Sequence, residues 1–197
     1  PLFSRINRYI TLSKEYLFLS HKYKLKPLDK KIWKFMRTRP SNFPSIRISQ
    51  LAAFINNSDA LLLKIFESNS LSTIKELLTV SASDYWKYNF RFDKPRKTIT
   101  SSKLGYSSIN LLMINTIIPF MFSYGKFINN ETMMEKSLKW LEEIKPEQNI
   151  ITRNFSKHKI KAVNSWQSQA LIQLYEKYCL EKKCLDCRIG HKLITGL

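Results

Sequence analysis

The chain has 197 residues, of which 44% are apolar, so it is long enough to bury a hydrophobic core without disulfide bonds. It contains 33 Lys and Arg residues against 15 Asp and Glu residues, which gives a formal net charge of +18 at pH 7. The 4 Gly and 7 Pro residues are too few for an all-β protein, which needs turn residues at short intervals. Neither a P-loop nor a dinucleotide-binding fingerprint is present in the sequence.

The excess of basic residues favours a polyanionic partner, because unbalanced positive charge repels itself and attracts phosphate-rich polymers. Nucleic acid, either DNA or RNA, is the first partner to expect, and an anionic membrane surface is the second. Two alternative origins of the charge stay open. The Lys-rich and Asn-rich composition fits an AT-rich genome, and it also fits a domain whose positive charge meets an acidic protein partner.

The sequence predicts a cytoplasmic protein without a membrane span. The first ten residues contain no apolar stretch followed by a small-residue cleavage site, and three cysteines without a secretory signal favour a reducing compartment. The longest apolar run, Ile109–Phe122, is short for a bilayer and contains Asn110, Asn115 and Pro119. Because the chain starts at Pro1 within a helical pattern, we expect it to be part of a longer protein.

In the first part of the chain, helical spacing of apolar residues predicts a helix over Ser4–Leu25, and a short helix or turn with an Asp cap is predicted over Asp29–Met36. Residues before Pro40 and Pro44 are forced into extended conformations, so Arg37–Phe43 is predicted to be an ordered loop. A helix then begins near Pro44, which suits a first turn. Its predicted apolar face consists of Ile48, Leu51, Ala52 and Ile55.

Two short helices opened by Ser or Asp follow, and an aromatic segment over Ser83–Phe92 alternates in a way that allows a short strand. The apolar segment Ser107–Tyr124 is predicted to be the central core helix, kinked or broken by Pro119. Further helices are predicted over Asn130–Ile144 and Val163–Leu180. The fold class predicted is all-α: one irregular helical domain over residues 1–197, with about eight helices and one or two short extended segments.

The three cysteines and one histidine near the carboxy terminus form the pattern Cys-x4-Cys-x2-Cys-x3-His, made by Cys179, Cys184, Cys187 and His191. Thiolates and imidazole are zinc ligands, and structural zinc sites are tetrahedral, so these four residues are predicted metal ligands. An iron–sulfur cluster is an alternative, because Cys-x4-Cys-x2-Cys matches plant-type ferredoxin spacing. A third alternative is a core of reduced thiols, since Cys184, Cys187 and His191 share one face of a helix, and a disulfide is the fourth.

Two basic segments are predicted phosphate-binding sites. Arg37, Arg39 and Arg47 flank a proline-stiffened loop, and the guanidinium fork matches phosphate geometry. In the alternative interpretation these arginines pair with carboxylates or cap helix carbonyls, although 15 acidic residues cannot neutralise every cation.

The second basic segment follows the aromatic residues of Ser83–Phe92. Its cations are Lys94, Arg96 and Lys97. Aromatic rings beside a basic loop suit the stacking of single-stranded bases, but such rings also form protein cores.

Five blocks of the sequence together resemble the carboxy-terminal half of the bacterial family named domain of unknown function 2851. They are WKFMRTRPSNFPSIRISQLAAFI, YWKYNF, LGYSSINLLMINTIIPFMFSYG, SQALIQLYEKYC and KCLDCRIG. The resemblance implies a longer protein whose missing amino-terminal domain looks like a restriction-endonuclease-type core. No stretch of this sequence matches that part, so no catalytic residue is carried over.

The function predicted is therefore a basic helical domain that contacts nucleic acid through Arg and Lys, as companion to the missing nuclease-like domain. The alternative is a protein-interaction or scaffolding domain with an acidic partner and no nucleic-acid role. His21 and His158 have no partner acid nearby in the sequence, and no Gly-x-Ser-x-Gly motif is present. This chain alone is predicted not to be catalytic, whereas the complete protein is a candidate nuclease.

Overall fold

The computed structural model describes residues 2–36, 38–39, 42–91 and 94–196, and within them the predicted all-α class is confirmed. Two short strands, β1 (Asn89–Arg91) and β2 (Lys94–Pro95), pair antiparallel. The α-helices are α1 (Leu2–Tyr23), α2 (Pro44–Asn57), α3 (Leu61–Glu67), α4 (Leu71–Leu77), α5 (Tyr85–Tyr88), α6 (Tyr106–Leu112), α7 (Ile118–Phe127), α8 (Glu131–Glu143), α9 (Ile150–Lys157), α10 (Ser165–Leu174) and α11 (Arg188–Thr195).

Helix starts follow the local chemistry of the sequence. Pro44 occupies the first turn of α2, where its missing N–H leaves no hydrogen bond unmade. The predicted Asp-capped segment is a 3-10 turn over Lys30–Ile32, in which Lys31 N donates to Asp29 Oδ1 at 2.9 Å. The side chain of Asn130 likewise accepts from Met133 N at 2.9 Å and begins α8. Short polar side chains at these positions satisfy backbone N–H groups that the helix itself cannot.

Of the two outcomes predicted at Pro119, a kink or a break, the structure contradicts the break, because the helix stays continuous. Residues Met113–Ile117 form a π-helical segment that joins α6 to α7, and Ile118 N donates to Met113 O. Such a turn accommodates Pro119, which has no N–H and whose ring would clash with the carbonyl four residues earlier. The side chain of Asn115 donates to Leu111 O at 3.1 Å. The result is a single helix over Tyr106–Phe127.

This long helix forms the centre of the main hydrophobic core, as predicted. Its inward residues are Ile109, Met113, Ile114, Ile118 and Met121, all at most 4% exposed. They pack with Ile65 and Leu71 to Leu78 of α3 and α4, and with Trp140 and Ile144 at the end of α8. A Cβ added at Gly125 would lie 3.2 Å from Asn130 O and from Met133 Cβ, so glycine permits the close approach of α8.

By length and composition, Tyr106–Phe127 is able to cross a bilayer, with a mean hydropathy of 1.2 over its most apolar window. The helix is therefore longer than the apolar run on which the expectation of no membrane span was based. Core helices of soluble proteins meet the same criterion, and the inward face of this helix contributes to the main core. The absence of a membrane span stays a prediction.

The predicted apolar face of α2 is wrong. Ile48, Leu51 and Ile55 are 49%, 55% and 68% exposed, whereas Ile46 and Gln50 are buried. The reason is a polar contact that hydropathy does not detect: Gln50 Nε2 donates to Ser102 O at 3.0 Å. This bond turns the helix so that Ile46 packs with Trp86 and Ala82 in a second, smaller core.

Replacing two isoleucines of α2 tests this orientation. We expect Ile46→Ala to lower the free energy of unfolding by about 2–5 kcal/mol, because truncating a fully buried side chain leaves a cavity. Ile48→Ala, the same substitution on the solvent side of the helix, should change it by no more than about 0.5 kcal/mol. Urea unfolding monitored by circular dichroism measures both values, and equal losses would contradict the orientation described.

Candidate nucleic-acid interface

An aromatic cluster brings the two predicted basic segments side by side. The ring of Phe43 lies 5.2 Å from that of Phe35 and 5.7 Å from that of Phe90, in edge-to-face contacts. The guanidinium carbon of Arg91 lies 3.8 Å from the centre of the Phe35 ring. Ser45 Oγ also donates to Phe90 O at 2.7 Å. We call Phe35, Phe43, Phe90 and Arg91 the aromatic clamp, because it fixes the loop before α2 against the β1–β2 hairpin.

Three of the predicted cations are exposed: Arg39 in the loop, Lys94 in the hairpin and Lys97 just after it. None of them forms an ion pair with a carboxylate in the described part of the chain, where the ion pairs are Lys87–Asp84 and Lys183–Glu181. Arg37 lies outside the described residues. The clamp thus joins the loop that carries Arg39 to the hairpin that carries Lys94, and we refer to their exposed cations together as the basic surface.

Arg91 belongs to this surface and was missed from the sequence. It is exposed, pairs with Lys94 across the hairpin and has its guanidinium over the Phe35 ring. A cation held over an aromatic face keeps its outer N–H groups available while losing little rotamer freedom on binding. The sequence signal for this cation is its position between two aromatic residues, Phe90 and Phe92.

Arg96 is hydrogen-bonded to neighbouring residues of the fold. Its side chain donates through Nε to Asn89 O at 3.2 Å and through Nη1 to Thr100 Oγ1, and its backbone N donates to Tyr88 O at 2.7 Å. Partial burial lowers the pKa of the guanidinium from its ordinary value. These bonds hold the segment after the hairpin against α5 and β1, so fewer N–H groups remain for a phosphate.

Arg47 is also committed to neighbouring residues. Nη2 donates to Asn42 Oδ1 at 2.7 Å and to Ser108 Oγ at 3.0 Å, while Nη1 donates to Gln50 Oε1 at 3.0 Å. The side chain is half-buried, and desolvation lowers the pKa of its guanidinium. It joins α2 to the loop and to α6, so three of its N–H groups are already used within the fold.

Most of the aromatic segment belongs to the protein interior. Trp86 is 6% exposed and packs with Ile46 and Ala82, and Tyr85 meets the Trp86 ring edge-to-face at 5.2 Å. Phe90 belongs to the aromatic clamp, while Phe92 lies outside the described residues. Tyr88, 49% exposed, remains as a ring that a base could reach.

The cysteine segment does not gather its four predicted ligands. Cys179 and Cys184 are exposed, Cys187 is buried at the start of α11, and His191 lies exposed on that helix. A Cβ added at Gly190 would lie 2.5 Å from Cys184 O, so α11 folds back against the turn that precedes it. Within the described ranges, no group of three or more His, Cys, Asp or Glu side chains is arranged to hold a metal ion. Zinc and the iron–sulfur alternative stay predictions.

Comparison with known proteins identifies the family. Residues 4–150 match the model of a family described as protein of unknown function, DUF2851. No curated protein and no solved structure matches the chain. The chain belongs to the DUF2851 family. The matched residues include the loop, the hairpin and the core helix, but end before the cysteine segment.

Elemental analysis of protein purified without a metal-affinity resin tests the cysteine segment. The zinc hypothesis predicts one zinc ion per chain, which Cys187→Ser should lose because a tetrahedral site depends on each of its ligands. His158→Ala, which replaces a histidine outside the motif, serves as the control and should keep the metal. Iron with inorganic sulfide would support the cluster instead, and protein free of both metals would support the reduced thiols.

Proposed function

We propose that this domain contacts nucleic acid through the sugar–phosphate backbone, using the basic surface formed by Arg39, Arg91, Lys94 and Lys97. The observation that supports the proposal is the arrangement of these exposed cations on a loop and a hairpin that the aromatic clamp joins. No described carboxylate forms an ion pair with them. Their charge is therefore available to an external anion.

The chemistry of such a contact is simple. Lys ammonium groups act as point charges, and Arg guanidinium groups donate two hydrogen bonds at once to phosphate oxygens. Each neutralised phosphate releases condensed counterions, which makes binding strong at low salt and weak at high salt. Because phosphates carry no sequence information, the binding should be largely independent of base sequence.

The proposal covers both DNA and RNA, since the phosphate group is common to them. Tyr88 follows Lys87 in α5, directly before the hairpin, and offers one exposed ring. Stacking of an unpaired base on such a ring would favour single strands over duplexes. The proposal also includes the wider setting expected from the sequence: a cytoplasmic protein whose nuclease-like amino-terminal domain acts on the nucleic acid that this domain holds.

A protein-interaction role is the second candidate, and a separate observation favours it. Large apolar side chains are exposed on α2 and α3, including Ile48, Leu51, Ile55, Leu62 and Leu63. Contiguous apolar surface of this kind marks interaction sites more often than a lone exposed side chain does. Binding to an acidic protein would share the salt dependence of nucleic-acid binding at the charged surface, but would also depend on these apolar residues.

The triple variant Arg39→Ala, Lys94→Ala and Lys97→Ala tests the nucleic-acid proposal. We expect it to weaken binding to duplex DNA and to reduce the slope of log affinity against log salt by roughly 0.9 for each phosphate that is no longer neutralised. Its free energy of unfolding should change little, because all three side chains are exposed. Fluorescence anisotropy with a labelled duplex over a range of salt concentrations measures the affinity.

The control is a triple variant with the same reduction of charge elsewhere on the surface, Lys126→Ala, Lys139→Ala and Lys161→Ala. These lysines are exposed and lie on or after α7, α8 and α9. A smaller loss of affinity than in the loop–hairpin variant supports the proposed surface. Equal losses would mean that binding follows net charge alone, and undetectable binding of the parent protein at low salt would refute the proposal.

A further inference from the structure

A deep apolar groove runs between α2 and the long helix Tyr106–Phe127. Its volume is about 840 Å³, within the range of small-molecule sites. Its side walls include Leu51 and Phe54 of α2, and Leu111, Leu112 and Phe120 of the long helix. Leu51, Leu111 and Leu112 are 40–55% exposed, so the groove is lined by apolar side chains that the fold leaves in contact with solvent.

Polar residues line the groove at one end, at Arg47, Gln50 and Ser108, and again farther along the long helix, at Asn115 and Thr116. The walls begin at Arg47 on α2 and at Ser108 on α6, and Arg47 Nη2 donates to Ser108 Oγ at 3.0 Å. Gln50, the next lining residue of α2, accepts from Arg47 Nη1 at 3.0 Å. Beyond these groups the groove continues along α2 and α6 toward α3. The groove thus combines one charged end with a wall that is mainly apolar.

The guanidinium at this end has no counter-ion among the described residues. Its three hydrogen bonds go to the neutral side chains of Asn42, Gln50 and Ser108, and they use three of the five N–H groups that arginine carries. A half-buried charge without an opposite charge is unfavourable, and burial alone accounts for the lowered pKa of Arg47. An anion bound at this position would relieve that cost.

We propose that the groove binds a free fatty carboxylate, with the carboxylate on Arg47 and the alkyl chain along α2 and the long helix. From Ser108 to Phe120 the wall extends roughly 18 Å at 1.5 Å per residue, which accommodates an extended acyl chain. Ser108 Oγ supplies a further hydrogen-bonding group beside the guanidinium. The apolar walls exclude water from the chain, so the hydrophobic effect and the ion pair act on the two ends of one ligand.

This site is separate from the proposed nucleic-acid surface. The basic surface uses the loop and hairpin cations, whereas the groove uses Arg47 and the apolar faces of α2, α6 and α7. A failure of either proposal therefore leaves the other intact. Laurate is a suitable probe, because it is a simple fatty carboxylate, and lauryl alcohol is its uncharged analogue.

Isothermal titration calorimetry of the full chain with laurate tests the site. We expect saturable binding of one laurate per chain, and binding of lauryl alcohol that is roughly tenfold or more weaker because it lacks the ion pair. Arg47→Gln should weaken laurate toward the affinity of the alcohol. Since Arg47 also has structural hydrogen bonds, a second variant, Leu51→Glu, places a carboxylate in the exposed groove wall and should weaken laurate roughly tenfold or more.

Ile48→Glu is the matched control for Leu51→Glu. Both residues are on α2 and similarly exposed, at 49% and 55%, but Ile48 does not line the groove. Laurate affinity should therefore be nearly unchanged in Ile48→Glu. Binding of many laurates per chain, or equal losses in the two variants, would mean adsorption to the basic surface and would overturn the proposal. Absence of laurate binding would overturn the proposal as well. If the chain then self-associates in analytical ultracentrifugation and Leu51→Glu abolishes the association, the groove is assigned to a second copy of the chain.

Discussion

The fold depends on the continuity of one helix through a proline. Pro119 removes a hydrogen bond from the most apolar segment of the chain, and the π-helical turn at Met113–Ile117 shifts the pairing so that the helix continues. The side chains on both sides of that turn, from Ile109 to Met121, then face the same core. A break at this point would have sent the two halves in different directions and left α3, α4 and α8 without a common surface. The outer face of the same helix forms one wall of the groove.

The basic residues divide into two groups according to what holds them. Arg47, Arg96 and Lys136 are partly buried and donate to protein oxygens, and burial lowers the pKa of each. Lys136 Nζ, for example, donates to Phe66 O and Ser68 O at the end of α3, where carbonyls lack helical partners. Such residues stabilise the fold. Among the described residues, Arg39, Lys94 and Lys97 have no comparable side-chain bonds, and this is the basis of the proposed contact with a polyanion.

Local features were predictable from the sequence, whereas the directions in which helices face were not. Pro44, Asn130 and Asp29 act on backbone groups within a few residues, so the starts of their elements followed from the sequence alone. The face of α2 depends on Gln50, whose partner Ser102 is distant in sequence. The face of α10 also depends on a polar residue with a partner distant in sequence, because Ser165 Oγ donates to Leu141 O. As a result, Ser165 and Ser168 are buried while Trp166 is 44% exposed. A hydropathy pattern places such polar side chains on the solvent-facing side of a helix, whereas in this structure they are buried.

The candidate sites show the same limit. The sequence indicated each basic segment separately, whereas the contacts that place the loop and the hairpin together, such as those of Phe43 with Phe35 and Phe90, are visible only in the structure. Spacing also suggested Cys179, Cys184, Cys187 and His191 as ligands, yet spacing does not determine where the side chains lie. Cys187 packs inward at the start of α11 while the other three side chains are exposed.

Arg47 connects the two surfaces proposed to bind ligands. Its Nη2 group donates both to Ser108 at the end of the groove and to Asn42, whose backbone N in turn donates to Arg39 O at 2.8 Å. An anion that draws the guanidinium into the groove competes with Asn42, and therefore changes the support of the loop that presents Arg39. If both ligands bind, linkage requires reciprocity: the factor by which the carboxylate changes nucleic-acid affinity equals the factor by which nucleic acid changes carboxylate affinity. The same hydrogen bonds that hold α2 in the fold thus provide a physical connection between the charged surface and the apolar groove.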